Sequence, residues 1–166
     1  MSKNNIEKRQ TEEFEAESAR YISSYLNDMQ RRDTIIPKSI DKDSINSILD
    51  VGCGNGTFLR DWKNYFEAKN AVGIEPSSTG VEVLKEKWKD DKELSFNNSF
   101  AHNLPFDTDT FDLVTTWSVL HWVGRNEYLQ SIGEMVRLCS KYLCVMDFVA
   151  KIDYRTPYHN KDGLYT

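Results

Sequence analysis

The stretch ILDVGCGNGTFL, residues 48–59, constrains the fold of this chain more than any other part of the sequence. Its apolar beginning predicts a short buried strand from Ser47 to Val51, and three glycines follow at once, Gly52, Gly54 and Gly56. Glycine tolerates positive φ and lets a ligand lie against bare backbone amides. The helix that follows adds exposed N–H donors and a partial positive charge. The stretch therefore predicts a ligand site immediately after a buried strand.

Strands and helices alternate along the rest of the chain, which predicts an α/β fold. We expect a Rossmann-like, doubly wound, mainly parallel sheet with helices on both faces. The predicted strands are 47–51, 70–76, 94–100, 111–120 and 141–149, and the predicted helices are 57–66, 77–88 and 126–138. The fifth strand is almost continuously apolar, which is typical of a strand covered on both faces.

Apolar residues at helical spacing predict the side chains that face the core. In the three helices they are Phe58, Trp62, Tyr65, Phe66, Val81, Leu84, Trp88, Leu129, Ile132, Met135 and Val136. The length of 166 residues suits one domain. Within it we expect an N-terminal helical segment (1–46, with its helix over about 7–32), a core (47–150) and a tail (151–166).

Charge and cysteine content exclude several classes of protein. The net charge is −5 without a basic block, so nothing supports nucleic acid as a partner. No apolar run is long enough to cross a bilayer, and the first residues lack the apolar segment of a secretory signal. Three cysteines without metal-ligand spacing argue against a zinc site and a disulfide framework. We therefore expect a cytoplasmic protein without a metal.

Two carboxylates accompany the glycine turn. Glu75 ends the second strand about twenty residues on, where a carboxylate can accept hydrogen bonds from both hydroxyls of a ribose. Asp50 precedes the first glycine, where it would repel a pyrophosphate and attract a cationic amino group. The spacing is G-x-G-x-G, and Thr57 stands where a dinucleotide turn has its third glycine. The pattern favours a nucleoside with an amino-acid tail over a diphosphate, and over a turn that only helps packing.

Four motifs in order resemble those of the class I S-adenosylmethionine-dependent methyltransferases, especially the group that methylates small molecules. They are ILDVGCGNGTFL, VGIEPS, AHNLPF and FDLVTTWSVLHWV, and the resemblance runs over about residues 47–148. The resemblance implies S-adenosyl-L-methionine as the cofactor and an enzyme that transfers its methyl group to a small molecule. A non-catalytic cofactor-binding module is the alternative, and an NAD-dependent oxidoreductase is less favoured because of Asp50 and Thr57.

The resemblance also implies roles for individual residues. Asp50, Gly52 and Gly54 would hold the methionine end, with Gly56 shaping the turn and Cys53 filling space beside the cofactor. Glu75 would bind the ribose, and Pro76 and Ser77 would flank the adenine. The adenine edge would lie along Phe100, Ala101, His102 and Leu104, and the sulfonium near Thr116 and Trp117.

The chain departs from the family pattern in two places. Phe100 stands where many relatives have an aspartate that binds the adenine amino group, so stacking, backbone groups, Asn97, Asn98 or His102 would replace it. The family core also continues into two further strands that this sequence lacks after strand five. We therefore expect either a missing C-terminal segment, the N-terminal helix or a second copy to cover the edge of that strand.

Candidate catalytic residues follow from the same edge of the sheet. A general base is needed only if the acceptor is a hydroxyl or a protonated amine. His121 is the best placed base and Asp147 lies where an acceptor could reach it, although a loop-anchoring histidine and a capping carboxylate are the plain alternatives. Tyr154, Tyr158 and His159 would line an acceptor pocket or belong to a solvated terminus. Tyr21 and Tyr25 would belong to a lid or to an ordinary helix.

Overall fold

The fold was analysed in a computed structural model that describes residues 39–147. Five strands form one parallel sheet: β1 (Ser47–Val51), β2 (Asn70–Glu75), β3 (Leu94–Asn98), β4 (Phe111–Trp117) and β5 (Cys139–Met146). Their order across the sheet is β3-β2-β1-β4-β5. The chain therefore moves one way from β1 to β3 and then crosses to the other side of β1, so the switch point lies between β1 and β4. Ligands in open α/β sheets bind at the carboxyl ends of the strands at such a point.

Three helices cover the two faces of the sheet: α1 (Thr57–Phe66), α2 (Ser78–Lys87) and α3 (Tyr128–Leu138). One core cluster joins α1 and α2 to the sheet through residues such as Leu59, Trp62 and Leu84. A second cluster on the opposite face joins α3 through Met135 and Leu138. The predicted doubly wound α/β fold is confirmed. Short 3-10 turns occur at Lys42–Ser44 and at Leu120–Trp122.

Asp112 fastens the amino ends of three strands together. One of its carboxylate oxygens accepts from the amides of Asn46 (2.8 Å) and Ser47 (3.0 Å), at the start of β1. The other oxygen lies 2.8 Å from the ammonium nitrogen of Lys141 on β5. Burial alone would raise the pKa of Asp112, but the hydrogen bonds from Lys141 and from these amides outweigh it and lower that pKa. The ends opposite the glycine turn are thus fixed by one carboxylate.

Several sequence expectations about exposure are wrong. Leu129 and Val136, predicted to face the core from α3, are 78% and 57% exposed, and Tyr65 of α1 is exposed as well. Helical spacing predicts a wider apolar face than the helices bury. One flank of α3 has no neighbour among the described residues, so its apolar side chains stay exposed. Strand β5 is half-exposed rather than covered on both faces, since it lies at the edge of the sheet.

Some boundaries also differ. Strand β4 ends at Trp117 instead of continuing to Leu120, because Ser118 turns the chain with a φ of 56°. Strand β5 runs from Cys139 to Met146 rather than over 141–149, and α3 begins at Tyr128. The predicted N-terminal helix, with Tyr21 and Tyr25, lies outside the described residues, as do Tyr154, Tyr158 and His159 of the tail.

Candidate active site

The glycine turn after β1 has the left-handed backbone that only glycine adopts freely. The φ angles of Gly52, Gly54 and Gly56 are 76°, 53° and 73°. A methyl group on Gly52 would collide with the Val119 side chain, and one on Gly56 would lie 2.7 Å from the Trp88 indole nitrogen. Among residues 39–147, nothing would lie within 4 Å of a methyl group on Gly54. Gly54 is therefore the glycine of the turn that faces open space, while the other two allow close packing.

Hydrogen bonds from the neighbouring elements fix the turn. The amides of Gly52 and Cys53 both donate to the carbonyl of Ile74 on β2, at 2.9 Å each. The carbonyl of Asn55 accepts from the Trp88 indole (3.0 Å) and from the Lys87 ammonium (2.9 Å), both at the end of α2. The turn is thus held from two sides before any ligand arrives.

Asp50 is almost completely buried, with 2% of its surface exposed. Its register partner on β4 is Thr115, whose hydroxyl donates to Asp50 Oδ1 at 2.8 Å. A buried carboxylate is stable only with hydrogen bonds or a nearby positive group. The position of Asp50, two residues before Gly52, places this negative charge at the base of the turn.

Glu75 is the second buried carboxylate, with 6% of its surface exposed at the carboxyl end of β2. Its Oε1 accepts from the amide of Ser77 (3.2 Å), and its backbone carbonyl accepts from the side chain of Asn98 (3.0 Å). Ser77 itself caps α2, because its hydroxyl accepts from the amide of Gly80 at 2.9 Å. Pro76 lies between them and is half-buried.

The Cys53 thiol is affected by both buried carboxylates. Burial, and then the negative charges of Asp50 and Glu75, raise its pKa well above the usual value. Both carboxylates therefore act on one point inside the turn. Cys53 also fills space, because a methyl group on Gly73 would lie 2.6 Å from its sulfur. A protonated thiol in such surroundings is a poor nucleophile.

The loop after β3 carries two stacked rings. The Phe100 and His102 rings lie 5.6 Å apart with an interplanar angle of 23°. Ala101 packs against the second core cluster, and Leu104 is buried within it, its amide donating to Glu134 at 3.0 Å. The loop therefore offers an aromatic surface where the family pattern has a carboxylate, and Asn98 is already bonded to the backbone of Glu75.

The end of β4 is tied to β1 and to α1. The Thr116 hydroxyl donates to the carbonyl of Val51 at 3.1 Å, and the residue is completely buried. The Trp117 ring lies edge-on to Phe58, with centroids 5.4 Å apart. Both residues stand at the switch point, beside the glycine turn.

The structure brings together His121, in the 3-10 turn after β4, and Asp147, directly after β5. Their side chains lie 2.7 Å apart, from Nδ1 of the imidazole to Oδ1 of the carboxylate. Asp147 Oδ2 accepts from the amide of Leu120 at 2.6 Å. The sequence marked each residue separately and could not show that they form a pair.

Other contributors were missed by the sequence reasoning. Thr115 bonds Asp50, Val119 packs on Gly52, and Lys87 and Trp88 hold the turn. The strand register pairs Asp50 with Thr115, so a correct alignment of the two parallel strands would have found this hydroxyl. Trp88 was expected only to pack in the core. Helical spacing predicts burial of the ring but not the hydrogen bond that its indole N–H makes.

The residues present fit an adenosine that carries an amino-acid arm. Among the described residues nothing would contact a methyl group on Gly54, and the buried carboxylates of Asp50 and Glu75 both act on Cys53 in the same turn. Carboxylates can accept from ribose hydroxyls and attract an ammonium group, whereas two of them beside the turn disfavour a pyrophosphate. Among residues 39–147, no group of three or more His, Cys, Asp and Glu side chains is arranged to hold a metal ion. No helix in that range is long and apolar enough to span a membrane.

Comparison with known proteins places this geometry in a family. Residues 48–141 match the methyltransferase domain family. An uncharacterised methyltransferase of Schizosaccharomyces pombe is 35% identical over 107 residues, which are 58% of this chain and 38% of that protein. The erythromycin 3''-O-methyltransferase of Saccharopolyspora erythraea is 28% identical over 96 residues, 55% of this chain and 31% of that protein. The chain thus spans about a third of the length of these two relatives.

Solved structures share the fold. A methyltransferase from Aquifex aeolicus, described as dependent on S-adenosylmethionine, superposes with a TM-score of 0.67 at 20% identity, covering 87% of this chain and 80% of that one. The Haloferax volcanii methyltransferase in complex with the Trm112 activator gives 0.68 at 20% identity, covering 81% and 58%. The family match covers more than half of this chain. It therefore belongs to the methyltransferase domain family, the class I S-adenosylmethionine-dependent methyltransferases, whose cofactor is S-adenosyl-L-methionine.

Proposed function

We propose that this chain transfers the methyl group of S-adenosyl-L-methionine to a small-molecule acceptor. The observation that carries the proposal is the open space at Gly54 among the described residues, in a turn where the buried carboxylates of Asp50 and Glu75 both act on Cys53. A turn made for packing alone would have filled that space, as it does at Gly52 and Gly56.

Each side of the turn has a separate task. Asp50, Gly52 and Gly54 would hold the methionine arm, and Glu75 would accept from the ribose hydroxyls. The stacked pair of Phe100 and His102 is supported as the adenine surface by its 5.6 Å stacking at the end of β3. Pro76, Ser77, Ala101 and Leu104 complete that side.

The reacting end would lie beside β4. When bound, the cofactor supplies a methyl group already activated by the positive sulfur. Thr116 and Trp117 shape the wall there, and an aromatic face near a cation is favourable by about 0.5–2 kcal/mol. The main work of the protein residues is then to orient the acceptor and exclude water, since correct positioning can supply much of the rate.

A small-molecule acceptor is supported by the relatives. The names of several describe small substrates, such as erythromycin and demethylmenaquinone. A structural neighbour at 16% identity and a TM-score of 0.65, a Haemonchus contortus enzyme, was solved with phosphoethanolamine and S-adenosylhomocysteine. This chain covers only 31% of that one, so the neighbour supports the fold and suggests acceptors to try.

The cofactor assignment is tested by calorimetric titration of the full chain with S-adenosylmethionine, S-adenosylhomocysteine and NAD. We expect both sulfur compounds to bind and NAD not to bind. Glu75→Ala should weaken S-adenosylhomocysteine binding about 10- to 100-fold, because charged hydrogen bonds contribute about 1.5–3 kcal/mol. Glu82→Ala, an exposed glutamate on α2, is the matched control and should bind normally. Tight NAD binding in place of the sulfur compounds would overturn the proposal.

Methyl transfer is tested by S-adenosylhomocysteine release over a panel of small alcohols, phenols, amines and thiols. At least one class should give a methylated product identified by mass spectrometry. Cofactor binding without any methylated product would favour the alternative, a non-catalytic binding module.

The exposed side of β5 and the location of the protein complete the proposal. We propose that a further segment of the protein or a second copy covers β5, on the basis of its edge position and the exposed Val145. Size-exclusion chromatography with light scattering would distinguish a second copy from a segment of the same chain. A cytoplasmic location is proposed because Cys53, Cys139 and Cys144 are all unpaired.

A further inference from the structure

We infer that Asp147 holds His121 in the tautomer that makes it a general base, and therefore that the acceptor attacks through a hydroxyl oxygen or the nitrogen of a protonated amine. The inference rests on the proposed methyl transfer. It joins two residues that were expected to act separately or only to anchor the loop.

The tautomer follows from the hydrogen bonds. A carboxylate is only an acceptor, so the 2.7 Å contact between Asp147 Oδ1 and His121 Nδ1 requires the hydrogen to be on Nδ1. In the neutral imidazole the lone pair is then on Nε2. Asp147 cannot turn away, because its other oxygen accepts from the amide of Leu120 at 2.6 Å. The carboxylate is thus fixed from the backbone and in turn fixes the ring.

The loop that carries His121 reaches from the glycine turn to the end of β5. Val119 packs directly on Gly52, two residues before His121. The amide of Ser118 donates to the carbonyl of Met146 at 2.8 Å, next to Asp147. Ser118 has a φ of 56°, a strained value for serine. Strain of this kind concentrates at functional sites, and here it turns the chain directly after β4, three residues before His121.

The pair also accounts for the charge in the reaction. The acceptor passes its proton to Nε2 of His121 and forms a bond to the methyl carbon, while the methyl–sulfur bond breaks and its electron pair stays on sulfur. The positive charge lost from sulfur then appears on the imidazolium, where Asp147 stabilises it. A thiolate acceptor carries no proton to remove and would gain nothing from this arrangement.

The first test is the tautomer of His121, measured by NMR on the full chain with nitrogen-labelled histidine at a pH where the ring is neutral. We expect the hydrogen on Nδ1 in the wild type. In Asp147→Asn the amide oxygen must still accept from Leu120, so the amide N–H faces Nδ1 and the hydrogen moves to Nε2. Asp109→Asn, an exposed aspartate with a φ of 57° that asparagine adopts readily, should leave the tautomer unchanged. His121→Gln assigns the signal.

The second test needs no variant and no acceptor. S-adenosylmethionine carries a positive sulfur and S-adenosylhomocysteine does not, so the NMR signals of a base beside the methyl group should differ between the two complexes. We expect the imidazole nitrogen signals of His121 to differ more between the two complexes than those of His102.

The outcomes separate this inference from the proposed function. If neither sulfur compound binds, the proposed function fails. If both bind, an Nε2–H tautomer in the wild type, an unchanged tautomer in Asp147→Asn or identical His121 nitrogen signals in the two complexes overturns the inference alone. For any hydroxyl or amine acceptor that the enzyme methylates, Asp147→Asn should lower turnover at least about 100-fold while S-adenosylhomocysteine affinity stays within about twofold.

Discussion

The two halves of the sheet are built differently. In the half formed by β1, β2 and the helices α1 and α2, strand residues are almost all buried and the turn is held by Ile74 and Trp88. In the half formed by β4 and β5, burial declines toward the edge, and α3 leaves Leu129 and Val136 exposed. Asp50 on β1, Gly54 in the turn and Glu75 on β2 all lie in the first half. The second half offers a histidine–aspartate pair and an edge that further chain can cover.

The difference suggests separate tasks for the two halves, namely cofactor binding in the first and acceptor binding in the second. The first half is called the rigid half because hydrogen bonds hold its turn from two sides, and we propose that it binds the cofactor through that turn and two acids. A half-exposed side with a loop can change its acceptor by changing the segments that cover it, because functional residues on loops tolerate variation more easily. The predictions below test whether the two halves can be perturbed independently.

The largest effect is expected in the rigid half, from Gly54→Val. The new side chain enters the open space that the cofactor would occupy, and S-adenosylhomocysteine affinity should fall at least about 100-fold. The positive φ of Gly54 adds strain, so thermal unfolding must confirm that the variant is folded. Gly133→Val on α3, which also meets open space, is the control and should bind normally. Normal binding by folded Gly54→Val would place the cofactor elsewhere.

A smaller effect is expected from removing the link between the two halves. Asp112 is that link, because it joins the start of β1 to Lys141 on β5. Asp112→Ala leaves two amides without their acceptor and should lower the free energy of unfolding by about 1–3 kcal/mol at neutral pH. Urea unfolding measures it, with the exposed Asp90→Ala as control. A free energy unchanged from the wild type would show that the halves are not joined through Asp112.

The same variant makes a prediction for pH. The folded state lowers the pKa of Asp112, so the stabilisation is present above the pKa of an unfolded aspartate and is lost as pH falls through the lower folded value. The stability difference between wild type and Asp112→Ala should therefore shrink in acid. A difference that grows in acid would contradict this assignment.

The smallest effect is expected from Trp88→Phe. The ring remains, but the hydrogen bond from the indole to the carbonyl of Asn55 is lost. We expect S-adenosylhomocysteine affinity to fall about two- to fivefold, corresponding to about 0.5–1 kcal/mol for one hydrogen bond. Trp62→Phe is a close control, because among the described residues the Trp62 indole nitrogen has no hydrogen-bond partner. Equal affinities for the two variants would show that Trp88 does not position the turn.

The sequence predicted the rigid half well, for a physical reason. Strand β1, helix α1 and the glycine turn follow from local rules, namely apolar runs, helical spacing and the special φ of glycine. In the half formed by β4 and β5, the burial of each side chain depends on which segments pack against it. The spacing of apolar residues along the sequence gives no information about those segments. Leu129 and Val136 have the right spacing for a core face, yet no described residue covers them.

The site shows the same limit. Asp50 and Glu75 could be marked from their position relative to the glycines, because the geometry of a parallel sheet brings strand ends together. The contact between His121 and Asp147 joins residues 26 positions apart on neighbouring strands, and nothing in either local sequence indicates it. The hydroxyl of Thr115 on Asp50 depends on strand register in the same way.

The most direct measurement of the central claim is a crystal structure of the full chain with S-adenosylhomocysteine. We predict that both ribose hydroxyl oxygens lie about 2.7 Å from the carboxylate oxygens of Glu75, the usual distance for such hydrogen bonds, with the amino-acid arm against Gly54. A complex in which the ligand lies away from this turn, or in which protein side chains fill the space before Gly54, would contradict the account.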